Sequence, residues 1–280
     1  MKPAAFEYHA PCTVEEAVMM LAAVAPLDGR VIAGGQTLVP AMAMRLARPA
    51  HLVDINGVAG FDRLESTADG LHIAPCVRHA ALGPERVPGP LGRLLGLARR
   101  HIAHYPIRTR GTFCGSLANA DAASEWCMVA VALDATLTAR STRGTRRLVA
   151  DDFLVGYMTT TLEPDELLVE AFLPMLPPDT KVGFYEFSRR AGDFAEVMAL
   201  AAYTLSDGLV TEPRIAIGGI ESRARRLAGA EAALAGQRPD AAGFRHAAEA
   251  AAAEVEPSED AADARSLVAT AVTRALASAH

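Results

Sequence analysis

Four cysteines, one tryptophan and two lysines in 280 residues leave little room for several kinds of chemistry. Cys12, Cys76, Cys114 and Cys127 are separated by 64, 38 and 13 residues and form no C-x-x-C pair. That pattern fits neither an iron–sulfur nor a zinc framework, so redox work needs an organic cofactor or metal centres on another chain. A basic excess is also missing. The formal charge is −6, which argues against a phosphate-reading surface and hence against nucleic acid as a partner. No apolar run approaches the roughly 20 residues that span a bilayer. Met1 to Glu7 contain no secretory h-region, and Glu7 is out of place in a transit peptide. A cytoplasmic chain is expected. The cations are almost all arginine, with only Lys2 and Lys181 as lysines, a bias of genome composition rather than of chemistry.

What is present is enough apolar material, 51% of residues, for two domains or two halves and an appendage. Thr13-Val14-Glu15-Glu16 is a capping box that opens a helix ending near Pro26. A strand from Arg30 to Ala33, a Gly-Gly turn, a helix from Leu38 to Leu46 and a strand from Leu52 to Ile55 follow, a unit of βαβ character. Short strands then flank Asp69-Gly70, a helix covers Pro90–Ala103, a loop runs from Tyr105 to Leu117, and Ala122–Leu133 reads as helix. Strands surround Arg143-Gly144, and another covers Leu167–Leu173. Pro174, Pro177 and Pro178 mark a boundary. Three strands and alanine-rich helices from Ala224 to the end then describe an α+β domain. The expected division is 1–57, 58–176 and 177–280.

Three motifs carry chemistry. Ala33-Gly34-Gly35-Gln36-Thr37-Leu38 follows a strand and opens a helix, where successive N–H groups form an anion cradle. It is neither the dinucleotide fingerprint nor a P-loop, and on spacing alone ordinary turn chemistry is the favoured reading of a lone Gly-Gly. Thr112-Phe113-Cys114-Gly115-Ser116 is a second small-residue segment, read as a loop able to wrap a diphosphate. Asn119, Asp121 and Glu125 stand just behind it as partners for sugar hydroxyls. Its bland reading is a solvated loop with Asp121 as a helix cap. Arg189 to Ala195, containing Asp193 and Phe194, is by spacing only a turn between strands. Two separate cradles point to one large phosphate-bearing ligand spanning both units.

Together these segments resemble three signatures of the FAD-binding medium subunits of molybdenum hydroxylases, in that family's order and spacing and over essentially the whole chain. The resemblance implies a bipartite FAD-binding domain of the vanillyl-oxidase or p-cresol-methylhydroxylase type, followed by a small antiparallel-sheet-plus-helix domain. It implies non-covalent FAD, with Ala33–Thr37 and Thr112–Ser116 holding the diphosphate. Glu125 would touch the sugar chain or adenosine, Leu167 or Leu168 would lie near the adenine, and Asp193 and Phe194 would sit beside the isoalloxazine. Molybdopterin and [2Fe-2S] clusters would reside on a large and a small partner subunit, in a heterotrimer or its dimer, with electrons leaving for an external acceptor. No residue of this chain is needed as nucleophile or substrate base. The alternatives are a stand-alone flavin oxidase of the same fold, or an assembly subunit that has lost FAD. Two positions depart from the pattern: Cys114 replaces a common glycine, and Glu186 stands near a lysine of the carbon monoxide dehydrogenase type.

Outside the motifs, His101 and His104 are expected to cap a helix C-terminus rather than bind metal. Trp126 and Cys127 are expected to pack. The arginine pairs at 99–100, 146–147 and 225–226 are expected on solvated faces.

Overall fold

The computed structural model describes residues 2–255 and 261–280. Among the described residues there are four sheets: three larger ones that follow one another along the chain, and a two-stranded ladder. The first unit comprises β1 (Glu7–His9), α1 (Val14–Val24), β2 (Gly29–Ile32), α2 (Leu38–Ala43) and β3 (His51–Asp54). Its strands are parallel in the order β1-β3-β2. The three-residue β1 lies ahead of the capping box and is too short to show a pattern. Thr13 Oγ1 accepts from Glu16 N while the Glu16 carboxylate accepts from the Thr13 N–H, closing the box reciprocally. Ala17, Val18, Leu21 and Val24 then face Val53 and Ile55. α2 is shorter than its apolar run suggests, because the chain turns at Met44 and Arg45, the latter with a positive φ.

The second unit carries β4 (Leu64–Ser66), β5 (Gly70–Ile73), α3 (Gly89–His101), α4 (Tyr105–Arg108), α5 (Phe113–Asn119) and α6 (Glu125–Ala132). It continues with β6 (Thr136–Ser141), β7 (Gly144–Val149), α7 (Ala150–Phe153), β8 (Leu154–Gly156), β9 (Thr159–Thr160) and β10 (Leu167–Pro174). β10 runs through the middle of the antiparallel sheet β4-β5-β10-β6-β7. The expected loop from Tyr105 to Leu117 is instead two short helices, α4 and α5. Pro106 at the start of α4 and the Thr112 cap of α5 supply helix starts that small-residue composition obscures. α6 begins at Glu125, not Ala122, because Asp121 Oδ1 accepts from Ala123 N in an Asx turn and does not cap the helix. Trp126 to Ala132 are all buried, so α6 is a core helix without a polar face.

The third unit is the antiparallel sheet of β11 (Lys181–Phe187), β12 (Val197–Ser206), β13 (Leu209–Gly218) and β14 (Arg225–Arg226). It bears α8 (Ala228–Leu234), α9 (Ala241–Glu254) and α10 (Ala261–Ala277). Of the helical reading from Ala224 onward, residues 256–260 lie outside the described residues. Strand alternation divides this sheet between two cores. Val182, Phe184, Met198, Leu200 and Ala216 join the core of the second unit. Ala199, Ala201, Tyr203, Ile215 and Ile217 pack against the helices. The third sheet is therefore buried on both faces, and one side is shared with α3 and α6. Each of the three arginine pairs expected on solvated faces has an ion-paired member: Arg99 donates to Glu85, Arg146 grips the buried Glu166 with two hydrogen bonds of 2.7 Å, and Arg226 bridges Asp134 and Glu231.

Candidate functional site

The first two units meet at the two Gly-rich motifs. A Cβ on Gly34 would lie 2.5 Å from the Arg110 carbonyl oxygen and 2.7 Å from Gly111 Cα, so backbone presses on backbone there. Gly35 has φ +69°, a left-handed turn that glycine adopts without strain. On the opposite loop, Gly115 faces Ala33 and leaves room for Thr112 Oγ1, which accepts from its N–H at 3.1 Å.

This arrangement leaves backbone donors free. Among the described residues, the N–H groups of Gly34, Gly35, Gln36, Thr37 and Leu38 meet no acceptor. On α5 the Phe113 N–H is taken by Val77 O and the Ser116 N–H by Thr112 O, while that of Cys114 has no intrahelical acceptor. The side chains of Phe113 and Cys114 point the other way, into the core. Cys114 lies in the first helical turn with its thiol 3.5 Å from the Ile73 carbonyl, so replacing a glycine there places no side chain in the cradle.

Two side chains hold the two loops together. Asn56 Nδ2 donates to Ala33 O at 2.8 Å, Arg78 donates to Asn56 Oδ1 at 2.6 Å, and Arg78 also donates to Arg110 O at 2.7 Å. Asp54 orients Asn56 and accepts from Tyr8 Oη at 2.5 Å. Beneath the second loop, His79 Nδ1 accepts from Trp126 Nε1 at 2.8 Å, and its other nitrogen lies against Gly111. Burial, and then Arg78 and Arg108, lower the His79 pKa to about 4, so the ring is neutral. The sequence reading missed Asn56, Arg78 and His79. An Arg and an Asn in short connections give no signal until the loops they join are neighbours.

Behind the second loop, α6, α3 and β11 enclose ionisable groups. Glu125 opens α6, and burial, with Glu186 nearby, raises its pKa to about 8. Glu186 on β11 is 2% exposed at its side chain, its pKa raised by burial to about 7, and its Oε2 has no hydrogen-bond partner. His101 Nδ1 stands 3.9 Å from Glu186 Oε1, with the ring against Phe184. His101 closes α3 as expected, burial lowering its pKa, while His104 lies beyond the helix end with its ring packed against Gly192.

The remaining expected residues surround this region unevenly. Gly192 carries the Arg189–Ala195 turn over His104, and Phe194 projects from it with 74% of its surface exposed, beside exposed Asp193. Asn119 closes α5 half-buried, and Asp121 makes its Asx turn just beyond. Leu168 lies in β10 with its side chain in the core.

Residues 4–176 match the family described as the FAD binding domain in molybdopterin dehydrogenase, and residues 183–279 match the CO dehydrogenase flavoprotein C-terminal domain. The chain is 38% identical over 236 residues to the nicotine 6-hydroxylase medium subunit of Paenarthrobacter nicotinovorans, covering 84% of this chain and 82% of that one. A chain of carbon monoxide dehydrogenase from Hydrogenophaga pseudoflava superposes with a TM-score of 0.92 at 32% identity, over 100% of this chain and 98% of that one. A chain of quinoline 2-oxidoreductase from Pseudomonas putida 86 superposes at 0.91 with 35% identity, over the same shares.

Proposed function

The chain belongs to the family of FAD-binding medium subunits of molybdenum hydroxylases, and on that premise we propose that it is the electron-transfer flavoprotein of such a complex. FAD is held non-covalently. A large subunit carries molybdopterin, where substrate is oxidised, and a small subunit carries iron–sulfur clusters. The resulting assembly is a heterotrimer or its dimer. Bound FAD supplies the redox chemistry that connects those clusters to an external acceptor.

The observation that carries this reading is the row of free N–H donors from Gly34 to Leu38, facing the α5 start across the Gly34 contact. A diphosphate needs such a set of fixed dipoles, and Arg78 adds positive charge beside them. The residues therefore fit the cofactor. Ala33 to Leu38 and Thr112 to Ser116 would hold the diphosphate, the latter group through backbone and hydroxyl alone. Asn119, Asp121 and Glu125 would take the sugar hydroxyls, and Leu168 would back the adenine side through packing. Asp193 and Phe194 would flank the ring system, where the exposed Phe194 face is available for stacking.

Two features govern protons. Burial keeps Glu125 mostly protonated and Glu186 about half protonated at neutral pH, so the repulsion of a nearby negative charge is reduced. The unpaired Glu186 Oε2 is an oxygen in want of a hydrogen-bond partner, which a bound hydroxyl or ring N–H would supply. No helix among the described residues is long and apolar enough to cross a membrane. A cytoplasmic location is part of the proposal, consistent with four free cysteines.

The test is purification of the chain with its large and small partners. A yellow complex that releases about one FAD per chain on denaturation, and loses acceptor reduction when FAD is removed, is the expected result. A colourless chain that cannot be reconstituted with FAD refutes it and leaves the assembly-subunit reading. Oxidation of substrate by the isolated yellow chain would favour the stand-alone oxidase.

A further inference from the structure

The first sheet carries a second constellation, distant in kind from the cradle. Glu7 and His9 lie on one face of β1, two residues apart, and His51 opens β3 directly opposite Glu7. His9 Nε2 stands 3.1 Å from His51 Nδ1, and Glu7 Oε2 stands 3.4 Å from the same Nδ1. The imidazoles are stacked, with centroids 5.3 Å apart. One ligand atom from each of the three residues lies within 4.8 Å of the other two.

Three potential ligand atoms thus lie close together. Hydrogen bonding alone serves them poorly, since the single proton that Nδ1 can carry cannot satisfy both neighbours well. A metal ion serves all three. Ligand atoms about 2.0–2.2 Å from a tetrahedral Zn²⁺ stand about 3.3–3.5 Å from each other, close to both observed separations. Two imidazole nitrogens and one carboxylate oxygen suit Zn²⁺ and its transition-metal neighbours rather than Ca²⁺ or Mg²⁺. The Glu7 side chain is 74% exposed, so the fourth position opens to water and ions have a free path in.

We propose that Glu7, His9 and His51 form a binding site for a divalent transition-metal ion, Zn²⁺ in the first instance, that clips the edge strand β1 to the central strand β3. β1 has only three residues and a neighbour on one side, so its own ladder holds it weakly. The clip joins residues 42 apart and fixes the strand whose Tyr8 orients Asp54. Glu7 and His51 begin their strands, whereas the Gly34 cradle follows the end of the parallel β2. With two of its three ligands at strand starts, away from the cradle, the ion is assigned a structural role.

Full-length chain without a histidine tag, carrying its FAD, is titrated with Zn²⁺ against a chromophoric chelator and separately with Co²⁺. One ion per chain, a tetrahedral Co²⁺ spectrum and a Zn²⁺-dependent rise in melting temperature are expected. Glu7→Gln, His9→Gln and His51→Gln should each weaken binding by about tenfold or more. The exposed Glu7→Gln variant tests the site with the fold undisturbed. Cys12→Ser should bind as the parent does. Absence of binding at micromolar Zn²⁺, binding unchanged in the three ligand variants, or loss of binding in Cys12→Ser would each overturn the proposal. FAD content is expected to stay full throughout, so this result stands apart from the flavin reading.

Discussion

Gly34→Ala is the most direct test of the joint between the two cradles. The new methyl group would meet Arg110 O at 2.5 Å and Gly111 Cα at 2.7 Å, and both are backbone atoms that no side-chain rotation can move. The loops must part by several tenths of an ångström. Overpacking of this kind costs about 1–3 kcal/mol. Parting also strains the Asn56 and Arg78 hydrogen bonds that cross the joint. If the diphosphate is held by donors from both loops, the same displacement appears in FAD affinity. At about 1.4 kcal/mol per factor of ten, affinity should fall roughly 5- to 150-fold. The assay is fluorescence quenching of FAD by the apo-chain, with thermal unfolding measured alongside. Gly156→Ala is the control, because a Cβ there meets nothing within 4 Å. FAD binding and melting temperature equal to the parent's in Gly34→Ala would refute the idea that the two loops are locked together by this contact.

Other perturbations follow from the same geometry. Arg78→Ala removes both links to Asn56 and Arg110, and should cost about 1–3 kcal/mol by unfolding and release FAD more readily, measured by dialysis. Glu125 has a folded-state pKa raised from 4.5 to about 8, so the folded chain holds a proton that the unfolded chain has lost. Stability should be fullest below pH 4.5 as far as this group is concerned, and fall toward pH 8 by at most about 1.4 kcal/mol per pH unit. Glu125→Gln should flatten that slope in denaturant melts of the apo-chain, and an unchanged slope would contradict the assignment. His79 has its pKa lowered to about 4, so its contribution is complete above pH 6.5 and is lost as pH falls toward 4; His79→Gln should remove that acid-side loss. Phe194→Ala should leave melting unchanged, since the ring is 74% exposed, while altering the visible spectrum of bound flavin.

The sequence announced the elements that are set by local rules. The capping box at Thr13 and Glu16 folds as read, because its hydrogen bonds join residues three apart. The two cradle motifs were visible for the same reason: glycine and small residues mark sharp backbone turns wherever those turns end up. The family followed from the joint order of three motifs. Local rules failed where a neighbour decides. Tyr105 to Leu117 is mostly helix, because Thr112 caps a turn whose Phe113 and Cys114 find a core to enter.

Only the tertiary structure could bring residues 34 and 110–111 into backbone contact and so make a site of two turns. The stitch of Asn56 and Arg78 across it is equally invisible in one dimension, since each residue is an ordinary polar side chain until both loops come within its reach. The same holds for the charge state of Glu125, Glu186 and His101: the sequence supplies the groups, but desolvation between α3, α6 and β11 sets their protonation. Sequence therefore determined which backbone turns and which ligand chemistry were available. Packing, which removes water and sets distance, decided which of them meet and in what charge state.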